Sequence, residues 1–307
     1  MIKLVVVGSL NIDLTMRVKS LPLQGETALA SDFKMTPGGK GANQALASAR
    51  FGASVKMAGR VGQDQYGKRL LSSMKAGGVD VSYVIQDENV ATGMALITVD
   101  NTGANTITVY PGANNCYAYE DVDALESVIA DADAIIAQLE IPMRTVERAF
   151  AIARQHHVTT VLNPSPVNSL SREFLAKTDI IIPNEVEASS LCGCSVKSVD
   201  TAIQAAKELV KMGSGMAIVT LGENGAVSAD QEGVFHVPAF PVSPVDSTGA
   251  GDAFVAAFTV ALSEGVSVFD ALRYGCAAGA IATTKIGAQS AVPTRKEVEQ
   301  MVRDCNK

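Results

Sequence analysis

A chain of 307 residues, 47% hydrophobic and 19% charged, can bury one large α/β core and reads as a globular protein. Its net charge of −7 argues against a nonspecific nucleic-acid or anionic-membrane surface, so any phosphate must be held by local groups. No apolar run approaches the ~20 residues of a membrane span, and Leu4 to Val7 is followed at once by Asn11 and Asp13, unlike a signal peptide; a cytoplasmic location is expected.

In chain order, Val/Ile-rich runs at Leu4–Val7, Ala134–Ala137, Thr159–Leu162, Asp179–Ile182 and Met216–Val219 alternate with helical stretches, the pattern of parallel strands joined by crossover helices. Polar residues follow each run: Gly8 to Asp13, Gln138 to Glu140, Asn163-Pro164, Asn184 to Glu187, and Thr220 to Gly222. Ligands of open parallel sheets bind at the strands' C-terminal ends, so these sequence-distant residues are expected to share a cleft. Two stretches break the rhythm. Leu14–Val18 with Thr27–Met35, and Thr92–Val99 with Asn105–Tyr110, read as short strands and turns of a second, small β-sheet. The expected architecture is therefore α/β, a mostly parallel sheet flanked by helices over residues 1–13, 38–90 and 112–307, with a β-sheet lid over 14–37 and 91–111. The run Met94, Leu96, Ile97, Val99 on that lid predicts a homodimer through it. Thr294 to Cys305 reads as a capped amphipathic helix.

The five cysteines are scattered and odd in number, which is not a disulfide framework; Cys192 and Cys194, without a histidine nearby, do not make a metal site. The three histidines show no ligand spacing, so catalysis is not expected to depend on them. Gly62 to Lys68 has the glycine spacing of a P-loop, but Arg69 stands where a hydroxyl should hold Mg²⁺. Gly39-Lys40-Gly41 begins like a dinucleotide fingerprint, yet Gln44 takes the third glycine position and no strand immediately precedes it, so a nicotinamide site is excluded. The same Gly38 to Ala45 segment, a Gly-rich turn opening a small-residue helix, can instead bind a polyhydroxy ligand, with Asn11, Asp13, Lys40, Asn43 and Glu140 supplying donors and acceptors. Asp246 to Phe254 carries the most information. Gly249 and Gly251 allow a tight turn that aims helix-start N–H groups at an anion, and Asp252 beside them suits a base facing a substrate hydroxyl, the pairing phosphoryl transfer requires.

Gly38-Gly39-Lys40-Gly41-Ala42-Asn43-Gln44 and Asp246-Ser247-Thr248-Gly249-Ala250-Gly251-Asp252 resemble the two signatures of the ribokinase family of sugar and nucleoside kinases, and the remaining strand-end motifs, with Gly287-Ala288-Gln289, fall in the family's order. The resemblance implies an ATP-dependent kinase acting on the primary 5-hydroxyl of a pentose, D-ribose first, with deoxyribose, fructose or a nucleoside as alternatives. It implies Asp252 as base and the amides of Ala250, Gly251 and Asp252 as anion hole, with Gly249 in the same catalytic turn. It places the sugar on Asn11, Asp13, Gly39, Lys40, Asn43 and Glu140. The nucleotide falls to Asn184, Thr220, Gly222, Gly225, Gly251 and Cys276, Mg²⁺ to Glu187, and K⁺ to Asp246, Thr248, Ala282, Lys285 and Gly287. Ala291 departs from the serine common in ribokinases, and Cys276 is atypical near the adenine. An unshifted carboxylate of pKa about 4 is already ionised at neutral pH, so no large shift is expected of Asp252.

Overall fold

The computed structural model describes residues 1–305. Thirteen strands are described: β1 (Lys3–Val7), β2 (Asn11–Arg17), β3 (Asp32–Gly38), β4 (Ser54–Gly62), β5 (Asp80–Asp87), β6 (Gly93–Val99), β7 (Asn105–Tyr110), β8 (Ala134–Gln138), β9 (Thr159–Asn163), β10 (Ile180–Ile181), β11 (Met216–Thr220), β12 (Ala226–Ala229) and β13 (Val234–Val237). The helices that matter below are α1 (Lys40–Arg50), α2 (Gln65–Ala76), α3 (Met143–Gln155), α4 (Glu185–Cys192), α5 (Val199–Met212), α6 (Ala250–Ser263), α7 (Val268–Thr283) and α8 (Arg295–Asp304).

Nine strands form one sheet in the order β13-β12-β11-β10-β9-β8-β1-β4-β5, parallel from β11 to β5 with β12 and β13 antiparallel at the edge. Because side chains alternate across a strand, β1 sends Leu4 and Val6 to one face and Val5 and Val7 to the other. The first pair joins a core with α1, α6 and α7 residues such as Leu46, Phe258 and Leu272; the second joins Phe150 of α3 and Leu209 of α5. The result is three layers, helix–sheet–helix. From β1 the chain builds outward to β4 and β5, then returns to place β8 on the other side of β1. That reversal opens a crevice beyond the C-terminal ends of β1 and β8, where doubly wound folds bind ligands.

The second sheet has the order β3-β2-β6-β7. Its first strand begins at Asn11, three residues before the strand expected from sequence, and the next runs to Gly38 instead of ending at Met35. Residues 27–31 lie outside it: Leu29 is exposed, and Ser31 N–H reaches Arg17 O at 2.8 Å just beyond the end of the ladder. The consequence is functional, since Asn11 and Asp13 are themselves strand residues of this small sheet. Asp13 pairs with Thr36 and Ala95, and Ala95 with Val109, which puts all four on one face. Phe33 and Tyr110 fall on the opposite face by the same alternation. β4 and β5 escaped the sequence reading because Lys56, Gly59, Arg60 and Gly62 interrupt the apolar run, and Asp179–Ile182 shortens to Ile180–Ile181 because Asp179 turns to accept from Thr160. Among the described residues no helix is long and apolar enough to cross a membrane.

Candidate active site

Among the helix N-termini that reach the crevice, those of α1 and α6 differ in their hydrogen bonding. At α1, Gly39 sits at φ 90°, and a Cβ there would lie 2.6 Å from the Asn11 nitrogen, so only glycine lets the helix start this close to the β1–β2 connection. Its first amides are occupied: Lys40 N–H donates to Glu140 Oε2 at 3.2 Å, Gly41 N–H to Ser9 Oγ at 3.3 Å, and Ala42 N–H to Ser9 O at 2.9 Å. Ser9 Oγ also donates to Glu140 Oε2 at 2.5 Å. With its donors spent, this terminus builds a polar wall and leaves no room for an anion.

The start of α6 is open. Gly249 holds the left-handed φ of 79° that turns the chain into the helix. Ala250 N–H is taken by Ser247 O at 3.2 Å, a correction to the expected three-amide hole; the N–H groups of Gly251 and Asp252 have no acceptor among the described residues. Two orphan donors at a helix N-terminus are an anion site. They border a cavity of about 200 Å³ whose walls include Lys40, Asn184, Glu187, Gly249, Gly251 and Asp252. A second cleft of about 510 Å³ adjoins it through Thr220 and Gly251 and is lined by Gly222, Gly225, Phe240, Phe254 and Cys276, an apolar slot of a size that suits a nucleotide base and ribose. Burial pushes the Cys276 thiol up to about 12, which leaves it an inert apolar wall.

Asp252 is 7% exposed and lies where the two helix starts meet. Its Oδ2 accepts from Asn43 Nδ2 at 3.0 Å and its Oδ1 from Gln44 Nε2 at 2.9 Å. Burial raises its pKa, and Lys40, Asn43 and Gln44 pull it back without cancelling the rise. Lys40 is drawn the other way: burial lowers its pKa, but Asp252, Glu140 and Glu187 outweigh that and keep it charged. Asp13, half-buried, is raised to about 7 by desolvation first, then by Glu140 and Asp252. Asn43 Oδ1 is buried with no partner, an acceptor aimed at nothing in the protein. Asn11 Oδ1 is fixed by Asn114 Nδ2 at 2.7 Å. Asn43 thus bonds Asp252 directly, and Asp13 and Glu140 lie close enough to act on its charge.

Asn184 caps α4: its Oδ1 accepts from Glu187 N–H, and Glu187 Oε2 accepts from Asn184 N–H, each at 2.9 Å. This box holds the buried Glu187 carboxylate in the wall of the smaller cavity. Asp246 organises the neighbouring loops. Its Oδ1 accepts from Thr248 Oγ1 at 2.6 Å and its Oδ2 from Gly287 N–H at 2.8 Å, while Val245 and Asp246 N–H both donate to Thr283 O. Burial raises the Asp246 carboxyl, and these hydrogen bonds more than reverse it. Lys285 turns its ammonium outward to Glu297 at 2.9 Å, leaving only its backbone, with that of Ala282, on the loop. Among the described residues no group of three or more His, Cys, Asp or Glu could hold a metal by itself.

Sequence reasoning missed Ser9, Gln44, Asn114, Gln138 and Asn163 as site residues. Ser9, Gln138 and Asn163 stand in the strand-end motifs and Gln44 in the Gly38 to Ala45 segment, so those motifs contained the signal. Asn114 carried none.

A buried carboxylate beside open helix amides, between a polar pocket and an apolar cleft, defines an ATP-dependent phosphotransferase of the carbohydrate kinase class. The sequence signature of the pfkB family carbohydrate kinases matches residues 1–295, and the chain belongs to that family. It is 38% identical over 301 residues to a ribokinase of Staphylococcus aureus, covering 97% of this chain and 99% of the relative. It is 40% identical over 302 residues to a bifunctional ribokinase/ribose-5-phosphate isomerase A of Fructilactobacillus sanfranciscensis, covering 98% of this chain but only 56% of that longer protein. The structure of Arabidopsis thaliana ribokinase complexed with ribose and ATP superposes with a TM-score of 0.93 at 32% identity, covering 99% of each chain.

Proposed function

We propose that this kinase transfers the γ-phosphate of ATP to the 5-hydroxyl of D-ribose, giving ribose 5-phosphate. The observation that carries the reading is the junction at Asp252. Its carboxylate accepts from Asn43, whose Oδ1 is an unspent buried acceptor, and the amides of Gly251 and Asp252 border the cavity that adjoins the larger cleft. A hydroxyl held by Asn11, Asp13, Asn43 and Glu140 meets the γ-phosphorus there. Asp252 accepts the hydroxyl proton as the new O–P bond forms and the bond to the β–γ bridging oxygen breaks. The two amides and the Lys40 ammonium offset the charge on the transferring group. A nucleoside acceptor would need an aromatic slot, and Phe33 and Tyr110 lie on the lid face opposite Asp13.

Glu187 is the residue that would hold Mg²⁺, through water: a single buried carboxylate among phosphate oxygens suits a hard cation that keeps most of its hydration. Bound there, the ion neutralises phosphate charge. The tied loops at Asp246, Thr248, Ala282, Lys285 and Gly287 suit a monovalent cation such as K⁺ held by backbone carbonyls, which would steady the Gly249 turn. Ile107 and Val109 are exposed on the Asp13 face of the lid and Leu96 on the opposite face, and a second copy that covers the lid gives a homodimer.

The test is ADP release from MgATP with ribose, 2-deoxyribose, fructose, adenosine and inosine, each in K⁺ and in Na⁺. Ribose-dependent turnover enhanced by K⁺ is expected. Preference for another acceptor would overturn the substrate and keep the chemistry; equal rates in both salts would remove the cation site.

A further inference from the structure

The base does not stand alone behind its two amide donors. Gln44 is fully buried, and its Nε2 is shared between Asp252 Oδ1 at 2.9 Å and Asn163 Oδ1 at 3.1 Å. Its Oε1 accepts from Gln138 Nε2 at 2.5 Å. Asn163 cannot turn round, because its Nδ2 donates to Ile182 O at 2.9 Å, a backbone carbonyl that can only accept. Gln138 is also fully buried, and its Oε1 has no partner at all. A native chain seldom strands a buried carbonyl oxygen, because the group loses its hydration for nothing. The side chain must therefore be kept for what its other end does. Gln138 sits at the last position of β8, while Gln44 lies in the second turn of α1.

We propose that Gln138 is a positioning residue for the phosphoryl-transfer base: by donating to Gln44 Oε1 it fixes the polarity of the Gln44 amide, so that Nε2, never Oε1, faces Asp252. An amide is nearly symmetric in shape, and rotating it by half a turn would present an oxygen to the carboxylate. That would replace an attraction with a repulsion at 2.9 Å, inside a site too dry to screen it. The charged groups facing Asp252 are Lys40 from α1, Glu140 from beyond β8 and Asp13 from β2; Glu187 of α4 acts on Lys40. Lys40 is the one cation in that set, so the Gln44 and Asn43 donors supply the rest of what holds the base ionised. Losing the Gln44 donor makes Asp252 harder to ionise.

The inference rests on Asp252 being the base. Its test is the pH dependence of kcat at saturating sugar and MgATP in Gln138→Met, which keeps the side chain's length and removes both the donor and the stranded oxygen. The acid limb of kcat is expected to move up by at least about half a pH unit, so that kcat measured on that limb falls about threefold or more. Calorimetric dissociation constants for sugar and ATP, and the melting temperature, are expected to stay near those of the parent. Gln138→Glu, which donates only when protonated, is expected to move the limb the same way and carries the test if the methionine variant does not fold. Gln44→Met should shift the limb at least as far, and the double variant no further, because Gln138 acts through Gln44. A limb that stays in place in the folded Gln138 variant, or additive shifts in the double variant, overturns the proposal. Full turnover in Asp252→Asn would instead remove the base assignment itself, so the two failures are distinguishable.

Discussion

Asn114 Nδ2 donates to Asn11 Oδ1 at 2.7 Å, joining residues 103 apart in the sequence. Asn114 also accepts from Leu10 N–H at 3.0 Å and donates to Leu10 O at 3.2 Å, from a short turn that begins directly after the lid strand β7. The chain's way out of the lid is thus bolted to its way in, and the orientation of the Asn11 amide proposed to hold the sugar is set by Asn114. Asn114→Ala is expected to raise the sugar KM about tenfold and leave the ATP KM unchanged, with a melting temperature lower by a few degrees for the lost buried hydrogen bonds. Steady-state kinetics with each substrate varied in turn check this.

Asp252→Asn removes the carboxylate proposed as proton acceptor while keeping the side chain's volume. Turnover is expected to fall at least about a hundredfold, with sugar and ATP dissociation constants within a few-fold of the parent. Single-turnover kinetics beside calorimetry separate the two effects.

Asp13 holds its proton to about pH 7 in the folded chain, because it is buried beside Glu140 and Asp252, and to only about pH 4 when unfolded. Between those values the folded state binds the extra proton, so stability falls as pH rises through this window, and above pH 7 the whole penalty is present. Asp13→Asn is therefore expected to raise the melting temperature at pH 8, to change it little near pH 4, and to weaken sugar binding. Thermal melts at both pH values test the sign.

Glu187→Gln keeps the reciprocal cap with Asn184, since glutamine serves the same box, but loses the charge. The Mg²⁺ concentration for half-maximal activity is expected to rise about tenfold while the melting temperature holds. A fall in melting temperature with unchanged Mg²⁺ dependence would reduce Glu187 to a helix cap.

The sequence by itself determined the parallel sheet, the second sheet, and the two Gly-rich turns with Asp252. These depend on local properties: apolar periodicity, glycine's access to positive φ, and the rule that strand ends gather ligands. What it could not determine was how the donors at those turns are spent. Both helix starts are Gly-rich turns, yet Ser9 and Glu140 consume the amides of α1, while those of Gly251 and Asp252 stay open. Nor could it show that burial raises Asp252, or that Gln138 reaches it through Gln44, 94 residues away. Hydrogen bonding and desolvation depend on which groups meet in space. Only the tertiary fold, by closing β8 against β1 and returning the lid through Asn114, decided that.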